Sequence, residues 1–94
     1  MIICVNVYQV KEGRMGGLLE ELRASGIEEG LRAMKGNVCF NFSIALQDPD
    51  RIYLTDIWED ESAFQAHLES PDTAAWLKLK EQYVKDSQIT RYDL

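Results

Sequence analysis

Three polar side chains stand in apolar surroundings and are the residues best suited to chemistry. Asn6 lies midway along Met1–Val10, a run rich in β-branched and apolar residues. Asp56 interrupts the apolar run Ile52–Trp58, and His67 is the only histidine. A buried amide without partners loses roughly 1–3 kcal/mol, and a buried carboxylate is costly unless paired or solvated. Each must therefore find a partner or face a wet pocket. An imidazole titrates near neutrality and suits proton transfer, while a single one excludes a metal site built on a histidine cluster. Plainer readings stand beside these: Asn6 bonded to a loop, Asp56 bonded to a sheet edge or a basic residue, and His67 as a hydrogen-bonded packing residue.

The aromatic residues suggest walls for such a pocket. Trp58 shares a strand face with Leu54 and Asp56, and either closes the core or offers a flat surface to a ring-shaped ligand. Phe40, Phe42, Phe64, Trp76 and Tyr83 are core residues by pattern, and some of them are expected to line the same space. No glycine-rich phosphate loop, nucleophile elbow or Cys-x-x-Cys is present. The chemistry that fits is one the substrate performs itself once deprotonated in a dry pocket, as electron-rich quinols and anthrones do with oxygen. Such a site needs a base, a donor for the oxyanion and apolar walls. These roles go to His67 as base or proton relay, Asn6 as oxyanion donor and Trp58 as ring wall. The expected partners are a small aromatic substrate and O2, with no cofactor and no metal.

The positioning elements follow from periodicity. Ile3, Val5 and Val7 alternate with Ile2, Cys4, Asn6 and Tyr8, which suits a strand covered on both sides. Helical spacing begins at Met15, Leu18, Leu19 and Leu22 and resumes out of phase at Ile27, Leu31 and Met34. The slip falls at Ser25-Gly26, where Ser25 and Glu28 can form a capping box, so the segment is one kinked helix or two short ones. Gly36 suits a helix stop. Val38, Phe40, Phe42, Ile44 and Leu46 then alternate as a strand with one buried face, and Asp48-Pro49-Asp50 turns the chain into Ile52–Trp58. Asp60 can cap a helix carrying Ala63, Phe64, His67 and Leu68 on one face, and Ser70-Pro71 starts another. Gln88–Leu94 closes as a last strand. The order is β-α-β-β-α-β over a single domain, residues 1–94, an α+β ferredoxin-like antiparallel sheet with helices on one face.

The apolar sets on both faces of the first three strands predict a homodimer through the open sheet face. Ninety-four residues bury only about 60–65% of the unfolded surface, and association adds to that. Ten basic against sixteen acidic residues give a net charge of −6, which opposes nucleic acid. No apolar run has the roughly 18 residues of a membrane span, and MIICVNVYQV lacks the basic start of a secretory signal. A cytoplasmic location is expected. Cys4 and Cys39 lack metal-ligand spacing and read as small hydrophobes, and Gly16-Gly17 as local packing.

Gly36, Asn37, Val38, Phe40, Phe42, Asp48, Pro49, Tyr53, Leu54, Trp58, Ala63, Phe64, His67, Ser70 and Pro71 occur in the order and spacing of one family. In these residues the chain resembles the antibiotic biosynthesis monooxygenase family, whose members include cofactor-free quinol monooxygenases. The resemblance implies a ferredoxin-like fold, a dimeric α/β barrel, and functional roles at the positions of Asn6 and His67. It also opens alternatives. Heme-degrading relatives carry a histidine late in the second helix, whereas Pro71–Tyr83 has none. A relative that isomerises a phosphorylated autoinducer-2 product shares the turn Gln47-Asp48-Pro49; its substrate would call for cations at the pocket mouth, for which Arg32 and Lys35 are available. A non-catalytic small-molecule-binding dimer is the third alternative.

Overall fold

The computed structural model describes residues 1–94. The chain runs β1 (Ile2–Val10), α1 (Met15–Ser25), α2 (Ile27–Arg32), β2 (Asn37–Ile44), β3 (Arg51–Trp58), α3 (Glu61–Leu68), α4 (Pro71–Tyr83) and β4 (Val84–Asp93). The strands make one antiparallel sheet in the order β2-β3-β1-β4. This is the ferredoxin-like arrangement expected from the sequence, with each of its two helical segments divided in two.

The central strands alternate strictly. Ile2, Cys4, Asn6, Tyr8 and Val10 of β1, with Ile52, Leu54, Asp56 and Trp58 of β3, are buried beneath the helices. Ile3, Val5, Val7, Tyr53 and Ile57 lie half-buried on the opposite face, so both alternating sets are indeed apolar. Leu18, Leu22, Ile27, Leu31, Trp76 and Leu79 supply the helical side of the core. No helix is long and apolar enough to cross a membrane.

Local chemistry explains the breaks. Gly26 has φ of 74°, a left-handed conformation that ends α1 and starts α2. The expected Ser25–Glu28 capping box does not form: the Ser25 hydroxyl accepts from Ile27 N–H at 3.2 Å, while Glu28 faces Arg32 one turn on. Asp60 caps α3 through Ala63 N–H at 2.8 Å. Ser70 caps α4 through Thr73 N–H at 3.2 Å, with Pro71 at the first helical position. Gly36, at φ of 84°, begins the step into β2, and a Cβ there would sit 2.5 Å from that of Ala63. Gly17 has a packing role: the Tyr83 ring lies 3.2 Å from where its Cβ would be.

Two strand expectations need correction. The register slips between Asn37 and Cys39, so Val38 is displaced and half exposed, and Ile44 and Leu46 are exposed as well. β2 is an edge strand with little above its ends, and only Phe40 and Phe42 of the five apolar positions pack inward. β4 is longer than Gln88–Leu94, because it starts at Val84, immediately after α4.

Candidate active site

Asn6, Asp56 and His67 meet between the two central strands and α3. Leu54 lies directly across from Asn6, and Asp56 across from Cys4, which sets Asp56 diagonally beside Asn6 on the helix side. Asn6 Nδ2 donates to Leu54 O and to Asp56 Oδ1, each at 2.9 Å. Both acceptors lack protons, so the amide orientation is fixed by chemistry. Trp58 Nε1 donates to the other oxygen, Asp56 Oδ2, at 2.9 Å. Each oxygen of the buried carboxylate thus holds a hydrogen bond, which offsets its desolvation.

His67 occupies the last turn of α3 and is 7% exposed. Its ring stacks on Trp58 with centroids 4.5 Å apart and planes 15° off parallel. Thr73, in the first turn of α4, fixes its protonation. The Thr73 hydroxyl donates to His67 O at 2.6 Å, which uses its one proton. Its oxygen accepts from the Ser70 hydroxyl at 3.0 Å. His67 Nδ1 lies 3.0 Å from the same oxygen and must be the donor in that contact. The neutral ring therefore carries its proton on Nδ1 and a lone pair on Nε2. Nε2 is 3.8 Å from Asp56 Oδ2, beyond hydrogen-bond distance. Burial holds the imidazole below its ordinary pKa of 6.5, with the Asp56 carboxylate pulling the other way. At neutral pH the side chain is an uncharged base.

This group lines a cavity of about 130 Å3 between the sheet and helices α3 and α4. Of the residues expected at the site, Asn6, Asp56, His67, Phe40, Phe64 and Trp76 surround it. Burial pushes the Tyr8 hydroxyl and the Cys4 thiol on its floor up to about 12 and about 11 respectively. Sequence reasoning passed over Tyr8, Thr73, Leu77 and Lys80. The last three follow from helical spacing once Trp76 is placed at the cavity, since positions 73, 76, 77 and 80 share a face.

Three expected lining residues lie elsewhere. Trp58 is fully buried and stacked behind His67, so it is a backing plate for the imidazole and does not form a ring wall. Phe42 packs edge-on against Phe40 and Trp76 and faces Leu19, Leu22 and Ile52 on the other side. Tyr83 sits seven residues past Trp76, about 10 Å along the helix, where its hydroxyl bonds Glu21 and Arg14 lies over its ring. The oxyanion-donor role given to Asn6 also changes, because both its amide protons are already committed within the protein; Asn6 positions Asp56. Arg32 donates to Phe40 O at 2.9 Å, and Lys35 borders a separate hollow with Glu59 and Asp60. Neither stands at the cavity.

No three of the His, Cys, Asp and Glu side chains converge as a metal site. The space is well below the roughly 300 Å3 or more of drug-sized pockets, so a porphyrin does not fit it.

The fold recurs in solved structures. A Nitrosomonas europaea protein provisionally named an antibiotic biosynthesis monooxygenase aligns with a TM-score of 0.89 at 19% identity, covering 100% of this chain and 98% of that one. A similarly named Deinococcus radiodurans protein aligns at 0.81 with 22% identity, covering 100% and 92%. A conserved Methanosarcina mazei protein aligns at 0.86 with 20% identity, covering 97% and 89%. At such identities the likeness is one of fold. Among curated proteins, none matches the sequence. The sequence profile described as antibiotic biosynthesis monooxygenase matches residues 1–79, most of the length and every residue of the Asn6–Asp56–His67 cluster, so this chain belongs to the antibiotic biosynthesis monooxygenase family.

Proposed function

We propose that this protein is a cofactor-independent monooxygenase that oxidises a quinol-type aromatic with molecular oxygen. One observation carries the reading: His67 is a neutral base whose Nδ1 is tied to Thr73 and whose Nε2 is unprotonated, in an aromatic-lined cavity. A phenolic hydroxyl gives its proton to Nε2. The imidazolium that forms faces Asp56 Oδ2, an anion already held in place by Asn6 and Trp58. Stabilising that ion pair only after proton transfer lowers the barrier selectively.

The remaining steps belong to the substrate and oxygen. The quinolate passes one electron to O2, and the resulting radicals join in a new carbon–oxygen bond. His67 returns its proton to the peroxide; loss of the ring hydrogen as a proton and departure of hydroxide then release water. One quinol and one O2 yield one hydroxyquinone and one water. Apolar walls keep water from quenching the anion.

The two cations expected to serve the isomerase alternative, Arg32 and Lys35, stand away from the cavity, and the cation that does border it is Lys80. For the assembly, we propose that the open sheet face pairs with that of a second copy, since Ile3, Val5, Val7, Tyr53 and Ile57 form its apolar centre. Oxygen uptake by the chelator-treated protein against hydroquinones, naphthohydroquinones and anthrones tests the activity. Uptake above the uncatalysed rate is expected to fall about a hundredfold in His67→Ala. No uptake with any of them would refute the oxidation and leave a binding protein.

A further inference from the structure

The cavity has a second chemical end. Lys80 of α4 borders it two helical turns beyond Thr73, with its Nζ 5.2 Å from the centroid of the Tyr8 ring. It is the only cationic residue in the lining, and it enters no ion pair, unlike Arg32, Arg51 and Arg91. Arg91 lies close by over Phe64, but Glu61 and Asp93 occupy its guanidinium at 2.7 and 2.8 Å. Lys80 is thus a cation whose head lies over the Tyr8 ring and has no protein anion paired with it.

The separation of the two ends can be read from the backbone. Asn6 to Tyr8 spans about 7 Å along β1, and Thr73 to Lys80 about 10 Å along α4. The space between them is small. A cavity of about 130 Å3, open on one side, is close to the roughly 150 Å3 of an apolar cavity that takes up benzene, so one six-membered ring matches it and an arm on that ring can leave through the open side. We infer that the substrate is a single-ring hydroquinone carrying a carboxylate on a short arm, with a phenolic hydroxyl at His67 and the carboxylate at Lys80. The assignment rests on the monooxygenase reading of the same site and narrows it, since a single ring matches the space and uncharged quinols leave Lys80 without an anion.

The charge of the whole chain strengthens the dependence on this one residue. At a net charge of −6 the long-range field repels an anion, and Asp56 lies at the far end of the same cavity. Recognition of a carboxylate must therefore be local. A charge-assisted hydrogen bond of this kind discriminates roughly ten- to hundredfold against a partner that lacks the charge.

The test is anaerobic titration calorimetry with 2,5-dihydroxyphenylacetate, its methyl ester and a naphthohydroquinone, on wild type, Lys80→Met and Lys80→Arg, each first shown to melt cooperatively. Wild type is expected to bind the acid about ten to a hundred times more tightly than the ester. Lys80→Met should abolish that preference, and Lys80→Arg should retain most of it. Equal binding of acid and ester by wild type, or a preference that survives in Lys80→Met, would overturn the assignment. Tight binding of the naphthohydroquinone alone would overturn the single-ring class while leaving the monooxygenase reading intact. Binding of none of the three would remove both.

Discussion

Replacing Thr73 by Val removes one hydroxyl and keeps the shape, which isolates its hold on the histidine proton. The start of α4 survives, because Ser70 Oγ accepts from the backbone N–H of residue 73. The His67 carbonyl also retains a donor, Ser70 N–H at 3.1 Å. What is lost is the acceptor for Nδ1–H, together with that of the Ser70 hydroxyl, which is only part-buried. A buried donor without a partner costs about 1–3 kcal/mol, which shifts the tautomer ratio roughly five- to 150-fold. The alternative proton position, Nε2, lies beside the Asp56 carboxylate at 3.8 Å and gains what Nδ1 loses. In Thr73→Val the proton should therefore move to Nε2, and the ring lone pair should move to Nδ1, away from the cavity. Because His67 is the only histidine, nitrogen-15 spectra at pH 8 read both ring nitrogens without overlap. Wild type and Thr73→Ser should show a protonated Nδ1 and a bare Nε2, and Thr73→Val the reverse, with oxygen uptake falling by a similar factor. A wild-type spectrum with the proton on Nε2, or no change in Thr73→Val, would refute the reasoning.

Two further outcomes concern stability and assembly. The His67 pKa is lowered by burial from its ordinary 6.5, so between the two values the unfolded chain holds more protons than the folded one. The contribution is present above about pH 6.5 and is lost as the pH falls through that range. Urea midpoints of wild type should drop between pH 7.5 and 5.0 more than those of His67→Gln, and parallel curves would contradict the assigned shift. On the open face, wild type should sediment at twice the 10.8 kDa of one chain, and Val5→Asp should shift it towards the monomer by placing a charge in the apolar centre; a monomeric wild type at micromolar concentration would end the dimer proposal.

Much of the fold was legible because its signals are local. Alternation placed β1 and β3 with the correct faces, and Asp60, Ser70 and Pro71 marked the helix starts through side chains that bond backbone within three residues. Errors came where a distant element decides. Val38, Ile44 and Leu46 have the composition of a buried face, but β2 is an edge strand and nothing covers its ends. Ser25 and Glu28 have the spacing of a capping box, yet the left-handed Gly26 between the helices takes the cap position.

The site divides in the same way. Asn6, Asp56 and His67 were identifiable because a polar residue in an apolar frame violates the local pattern, whatever its partners. Their roles were not, since a role depends on which protons are already spent. Asn6 reads as a donor until Leu54 O and Asp56 Oδ1 are seen to take both its amide hydrogens. Trp58 reads as a wall until its indole is found bonded to Asp56 and its face covered by His67. Thr73 carries no sequence signal of function, because threonine near a helix start is common. Its control of the imidazole arises only when Ser70 and Pro71 turn the chain so that α4 begins against the end of α3. The tautomer is therefore set by a helix junction: the hydroxyl that closes α3 onto α4 through the His67 carbonyl is the same group that holds the ring proton on Nδ1 and leaves the lone pair on Nε2.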